Sequence, residues 1–229
     1  MSVAAVIPAR GGSKGIPRKN LKKINGVTIV ERAIIEAQNA RNVDVVILST
    51  DDVEIASVGE RMGVKVMRRS PALSSDSAPT LPVVIDVVDR LEKSGMKVEV
   101  VAILEPTSPF RSSNIIDECI AKCSVPSVES VVTVTQLERN PHYIFSTSGD
   151  VATPYIEFPR QDYTQRQQFS NLKRINGCVY ASKVSLLRSG RLIGDKLRVV
   201  EMSPERSINI DSPLDLEIAR LLATKIECW

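Results

Sequence analysis

Val3-Ala-Ala-Val-Ile-Pro8, followed at once by Ala9-Arg10-Gly11-Gly12-Ser13-Lys14-Gly15, decides how this 229-residue chain folds. A short run of small and branched apolar residues stopped by proline reads as a parallel strand buried on both faces. Similar runs recur at 43–48 (VDVVIL), 98–104 (VEVVAIL) and 130–135 (SVVTVT). Amphipathic stretches lie between them. Thr28 and Glu31 have capping-box spacing ahead of Ile29, Val30, Ala33, Ile34 and Ala37, which share one helical face. Further helices are expected near 52–62, 80–93 and 113–122, and a last one opens at Ser212-Pro213 with Asp215 at its third position. Such alternation predicts an α/β fold with a mostly parallel sheet covered on both faces. Length and composition, with 43% hydrophobic and 25% charged residues, fit one globular domain over 1–229.

The net charge is only +3, but its distribution is uneven. Arg10, Lys14, Arg18, Lys19, Lys22 and Lys23 form an acid-free cluster, and removing these six from the total leaves a body of −3. One dense basic loop on a mildly acidic body points to a local anion site rather than a nucleic-acid face. Aromatics make up 4% and do not interleave with basic residues, so a base-stacking platform is not expected either. No apolar run approaches the roughly 20 residues of a membrane span, and the opening MSVAAVIPARGG has no charged region ahead of its apolar stretch. The expectation is a cytoplasmic protein with neither membrane nor nucleic acid as partner. Cys119, Cys123, Cys178 and Cys228 are too sparse for a disulfide framework, and Cys119 and Cys123 read as small, partly buried helix residues. His142, the single histidine, excludes a His-rich zinc site.

In an open parallel sheet, ligands bind beyond the carboxyl ends of the strands. The loop after the first strand carries three glycines that let backbone N–H groups approach a ligand, with Arg10, Lys14 and Lys19 to meet a polyphosphate. It is neither GxxxxGK[ST] nor GxGxxG, and the alternative is a solvated basic turn. Arginine grips phosphate oxygens bidentately and lysine adds compact charge, which suits stabilising a phosphoryl transition state. Asp51-Asp52, Glu105 and Asp211 follow later elements and are candidates to hold a divalent cation with its phosphates. Asp52 equally suits a helix cap, and Asp215 reads as a capping-box residue. From Gln136 to Asn176 the rhythm is lost, yet six of the nine aromatics lie there: Tyr143, Phe145, Tyr155, Phe158, Tyr163 and Phe169. Either this is an insertion folded on its own domain or an arm covered by a second subunit.

Six stretches, in order, resemble one family. Ile7-Pro-Ala-Arg-Gly-Gly-Ser-Lys14 with Lys19-Asn20, Leu48-Ser-Thr-Asp-Asp52, and Arg69-Ser-Pro-Ala-Leu73 with Ser75-Asp76 are similar to motifs of the CMP-sialic acid synthetases, including the legionaminic and pseudaminic acid enzymes. Glu105-Pro-Thr-Ser-Pro-Phe-Arg111, Arg174-Ile-Asn-Gly-Cys-Val-Tyr180 and Ser207-Ile-Asn-Ile-Asp-Ser-Pro-Leu-Asp215 continue the resemblance. It implies a Rossmann-like, glycosyltransferase-A-like three-layer nucleotidyltransferase fold. It also implies transfer from CTP to the anomeric hydroxyl of a nine-carbon 2-keto sugar acid, with Mg²⁺ or Mn²⁺. By the same resemblance Arg10, Lys14 and Lys19 are catalytic, and Ala9, Arg10, Gly11, Gly12, Asn20, Arg69, Ala78 and Thr80 bind nucleotide. Glu105, Thr107, Ser108, Arg166 and Asn176 would meet the sugar acid, and Asp211 with Asn209 the metal. Residues 136–176 become an inserted dimerisation segment, with Arg166-Gln167 reaching the partner's site. Two departures stand out: Asn209 where the family usually has aspartate, and Glu105 where it commonly has glutamine. Glu105 then either faces a donor-rich or amino-bearing part of the acceptor or pairs with Arg111. The base is not fixed by these residues. A nucleotidyltransferase for a sugar 1-phosphate and a catalytically weak nucleotide-binding regulator remain as alternatives, the latter resting on Asn209 alone.

Overall fold

The computed structural model describes residues 1–13, 15–75, 79–139, 141–156 and 171–226. The chain opens with β1 (Val3–Pro8), a short ribbon of β2 (Lys23–Ile24) and β3 (Val27–Thr28), α1 (Ile29–Asn39), β4 (Val45–Thr50), α2 (Val53–Arg61) and β5 (Lys65–Arg68). Then come α3 (Thr80–Lys93), β6 (Val100–Ile103), α4 (Ser113–Cys123), β7 (Ser130–Gln136) and a hairpin of β8 (Phe145–Ser148) and β9 (Val151–Pro154). β10 (Lys173–Lys183), α5 (Val184–Arg188), β11 (Leu197–Glu201) and α6 (Pro213–Ala223) complete it.

Seven strands form one sheet in the order β11-β7-β10-β6-β1-β4-β5. All neighbours are parallel except β10, which runs antiparallel to β6 and β7. The sheet is therefore mostly parallel, and β1 lies inside it. Its side chains alternate between two cores, as strand geometry requires. Val3, Ala5 and Ile7 pack with α1, α2 and α4 residues such as Val30, Ile34, Ile55 and Ile120. Ala4 and Val6 face the other way, toward Val84, Val87 and Leu91 of α3 and Leu187 of α5. Each fully buried aliphatic side chain contributes roughly 1.5–3 kcal/mol, so both layers are strongly held.

The helix starts follow the capping chemistry. The Glu31 amide donates to Thr28 Oγ1 (3.2 Å), and the Thr28 amide donates to Glu31 Oε2 (2.9 Å). Ser212 and Asp215 form the same reciprocal box at α6. Cys119 and Cys123 are wholly buried in the first core rather than partly, and burial pushes the Cys123 thiol up to about 11. Among the described residues, no helix is long and apolar enough to cross a membrane. Within the aromatic segment residues 136–139, 141–156 and 171–176 are described and include the β8–β9 hairpin, on or beside which Tyr143, Ile144, Phe145, Val151 and Tyr155 are exposed. Phe158, Tyr163, Phe169 and Arg166-Gln167 lie outside the described residues, as does Cys228.

Candidate active site

A cleft of about 280 Å³ opens beyond the carboxyl ends of β1 and β6, where a parallel sheet presents its loops. One set of lining residues is basic or amide-bearing: Arg10, Lys19, Asn20 and Arg69, with Gly12 between them. Another is acidic or oxygen-rich: Glu105, Thr107, Asn209 and Asp211. Thr80, Ser75 and Val83 also line it.

The basic loop is held by its backbone. The Ala9 amide donates to the Ser49 carbonyl (2.9 Å) and the Gly11 amide to Asp51 Oδ1 (2.9 Å). Gly11 packs so tightly on Asp52 that an added Cβ would sit 2.6 Å from its Oδ2, so only glycine fits there. Asn20 Nδ2 donates back to the Arg10 carbonyl (2.8 Å) and closes the loop on itself. Arg18, in a left-handed conformation with φ 56°, pairs with Asp52 and Glu54, both at 2.7 Å. Asp52 also accepts from the Ile55 amide (3.0 Å) and caps α2. Asp51 and Asp52 thus brace the loop, and neither lines the cleft.

The two cleft guanidiniums are oriented by oxygen acceptors. Arg69 donates to the hydroxyl and carbonyl of Ser49, both at 3.0 Å, and Arg10 Nη1 to the Ser75 carbonyl (3.3 Å). Burial lowers the Arg69 guanidinium to about 10, with Asp51 opposing and Arg10 adding to the effect. It stays protonated at neutral pH. Two guanidiniums near enough to repel each other are stabilised by an anion between them.

The acidic set is arranged differently. Lys19 Nζ pairs with Asp211 Oδ1 at 3.0 Å, and Asn209 Nδ2 donates to Asp211 Oδ2 at 2.8 Å. That leaves Asn209 Oδ1 buried without a hydrogen-bond partner among the described residues. Asp215 is occupied structurally, accepting from the amides of Asp211 (3.0 Å) and Ser212 (2.7 Å). Burial raises the Glu105 carboxyl above its ordinary range, Arg111 opposes this, Asp211 adds to it and Lys19 opposes it. Arg111 is itself fully buried and spends both terminal nitrogens on the Glu105 backbone carbonyl (3.2 Å each), with Nη1 also bonded to the Cys178 carbonyl. It holds the backbone of Glu105, and the two side chains form no ion pair.

Oxygen donors of this kind suit a hard divalent cation. Asp211 supplies a carboxylate and Asn209 an unpaired carbonyl oxygen, so these two fit Mg²⁺ or Mn²⁺ without further carboxylates clustered around them. Among the described residues no group of three metal-ligating side chains is present, which leaves coordination positions for phosphate oxygens and water.

Not every expected residue reaches the cleft. Ala9 and Gly11 lie behind it as loop scaffold, and Ser108 is buried with its hydroxyl unpartnered. Asn176, expected at the sugar acid, is enclosed: it accepts from Thr133 Oγ1 (2.6 Å) and the Cys178 amide (3.2 Å) and donates to Ser207 Oγ (2.9 Å). Its amide fastens β10 to β7, because a buried polar group in the sheet must be satisfied there. Lys14, Ala78 and Arg166 lie outside the described residues. Periodicity does not single out Val83, whose apolar side chain reads as helix core although it also lines the cleft.

The fold is shared with a CTP complex of CMP:2-keto-3-deoxy-manno-octonic acid synthetase, at TM-score 0.73 and 17% identity over 99% of this chain and 100% of that one. A 4-diphosphocytidyl-2C-methyl-D-erythritol synthase matches at TM-score 0.70 and 16% identity over 96% and 97%. At such identities the likeness is one of fold. In sequence, N-acylneuraminate cytidylyltransferase A of Danio rerio is 32% identical over 217 residues, which is 95% of this chain and 50% of that protein. The chain thus spans about half the length of that relative. CMP-N,N'-diacetyllegionaminic acid synthase of Campylobacter jejuni is 30% identical over 223 residues, 96% of this chain and 94% of that protein. Residues 4–205 match the family described as cytidylyltransferase. With its parallel sheet, its basic loop and that match along most of its length, the chain belongs to the cytidylyltransferase family of nucleotidyltransferase enzymes.

Proposed function

We propose that the chain transfers the cytidylyl group of CTP to the anomeric hydroxyl of a nine-carbon 2-keto sugar acid, giving a CMP-sugar and pyrophosphate. The observation that carries this is the joining, in one cleft, of Arg10, Lys19 and Arg69 with the oxygen set of Asn209 and Asp211. The acceptor hydroxyl oxygen bonds to the α-phosphorus as its proton passes to solvent, and the bond from that phosphorus to the α–β bridging oxygen breaks, its electron pair leaving with pyrophosphate. Such transfer depends on positioning and charge stabilisation more than on a protein nucleophile. Arg10 and Arg69 orient phosphate oxygens, Gly12 allows close backbone approach, and Lys19 with Lys14 takes up negative charge as pyrophosphate departs. A divalent cation held by Asp211 and the Asn209 carbonyl oxygen would supply charge neutralisation on the phosphates. The names of the Danio and Campylobacter relatives support a sugar acid as acceptor.

The test is incubation with each of four nucleoside triphosphates against sialic, legionaminic and pseudaminic acids and a sugar 1-phosphate, reading pyrophosphate. Release with CTP and a sugar acid is the expected result. Release only with a sugar 1-phosphate would replace the acceptor, and none with either would leave a nucleotide-binding regulator.

A homodimer belongs to the same proposal. The exposed apolar side chains of the β8–β9 hairpin favour a second copy packing there, with 136–176 as the dimerisation segment and Arg166 reaching the partner's acceptor. Mixing Arg166→Ala with Lys19→Ala protomers should restore part of the activity that each lacks alone. Verified mixed dimers that stay inactive would rule out a shared site.

A further inference from the structure

Glu105 sets the strongest unanswered question in the cleft. It follows β6 directly, lines the cleft and is half-buried. Arg111 grips its main chain from beneath, so the residue cannot retreat from this position without breaking two hydrogen bonds of 3.2 Å. Its carboxylate, by contrast, has no ion pair within 4 Å and accepts no hydrogen bond among the described residues. On the side toward β10 it faces Gly177 of that strand, where a Cβ would lie 3.9 Å from Glu105 Oε2 and 4.0 Å from the Tyr180 hydroxyl.

A desolvated carboxylate without a counter-ion is costly, and a structure that fixes one at a ligand site leaves the compensation to the ligand. Among the described residues Arg111 and Lys19 act on it only from beyond 4 Å, with no close pair. Arg69 is bonded to Ser49, Arg10 reaches Ser75, and Lys19 is paired with Asp211. Those cations also suit the anionic parts of the substrates, the triphosphate and the acid group of the acceptor. An acceptor carboxylate near Glu105 would be repelled. A neutral hydroxyl would satisfy a lone pair but leave the charge uncompensated, whereas an ammonium answers both.

Resting on the reading of the chain as a sugar-acid cytidylyltransferase, we propose that Glu105 is a specificity residue that selects acceptors presenting a free amino group to its carboxylate. The amino nitrogen donates to Glu105, and its positive charge supplies the close counter-ion that the described residues do not.

The experiment compares N-acetylneuraminic acid with derivatives in which one hydroxyl at a time is replaced by an amino group, using the intact chain with CTP and Mg²⁺. kcat/KM is read from pyrophosphate release for the native chain and for Glu105→Gln, which keeps size while removing charge. The native chain should favour at least one amino derivative by about tenfold, the value of a charge-assisted hydrogen bond. Glu105→Gln should reduce that preference to within about threefold while KM for CTP is unchanged. Calorimetric binding of CTP to the variant shows that its cleft is intact. No preference for any amino derivative, or the same preference in Glu105→Gln, overturns the proposal. A change confined to the Mg²⁺ titration also overturns it, because Glu105 would then act on the metal. If no sugar acid in any form releases pyrophosphate from CTP, it is the underlying reading of the enzyme that falls.

Discussion

The basic and acidic sets of the cleft are built by opposite means. Arg10, Asn20 and Arg69 are oriented by carbonyls and a hydroxyl at the cleft. Asp211 is held by a lysine and an amide, and Glu105 is held by its backbone alone. The difference teaches that, on the proposed reading, Arg10 and Arg69 are oriented before substrate arrives, whereas Lys19 and Asp211 mask each other until a ligand separates them. Preorganised charge of this kind is where catalytic electrostatics gains most.

The contrast can be broken most severely at Lys19, which belongs to both sets. Lys19→Ala should lower kcat/KM by roughly 10²–10³, the usual effect of removing one transition-state donor. A loss of under about fivefold in steady-state assays would deny it that role. Restoring a charge to the oxygen set is a smaller change. Asn209→Asp should lower the Mg²⁺ concentration for half activity several-fold, within the roughly 10–100-fold span of metal-site effects, and an unmoved titration would remove Asn209 from the metal site. Ser212→Ala strips the cap of α6, which begins beside Asp211, and should cost about 1 kcal/mol in denaturant unfolding. Burial opposes ionisation of Asp215, but hydrogen bonds from Ser212 and the Asp211 amide hold its carboxyl below the ordinary range. That stabilisation is present above pH 3.8, the ordinary value, and lost as pH falls further.

The smallest effect sharpens the comparison at Glu105. Its raised carboxyl means that the native state holds a proton the unfolded chain has already released, so stability falls as pH rises above about 4.5. Glu105→Gln should therefore melt higher than the native chain at pH 7 without ligand, and the gain should vanish below pH 4.5. Equal melting temperatures at pH 7 would show that the carboxylate is already compensated.

Much of this was legible in the residues because the signals are local. β1, β4, β6 and β7 follow from apolar runs, α3 begins and ends where its periodicity does, and both capping boxes form as spaced. β5 and β11 escape periodicity because Lys65-Val-Met-Arg68 and Leu197-Arg-Val-Val-Glu201 are short, charged edge strands. β10 is masked by Asn176-Gly177, a turn signal that here makes a bulge, with Gly177 at φ 74° and the register to β7 shifting between Ile175 and Tyr180. The same dipeptide explains why Asn176 lies inside rather than in the cleft. Arg111 is the converse case: a buried arginine runs against the usual preference for the surface, so only its contacts reveal that it supports Glu105.

The ion pair between Lys19 and Asp211 joins residues 192 positions apart, and the Asp211 carbonyl lies where a side chain on Gly15 would have to go. During synthesis at roughly 5–20 residues per second, the basic loop would exist for about 10–40 s before its acidic counterpart is made. Until then the basic loop lacks Asp211, the acidic partner that the folded chain sets against Lys19.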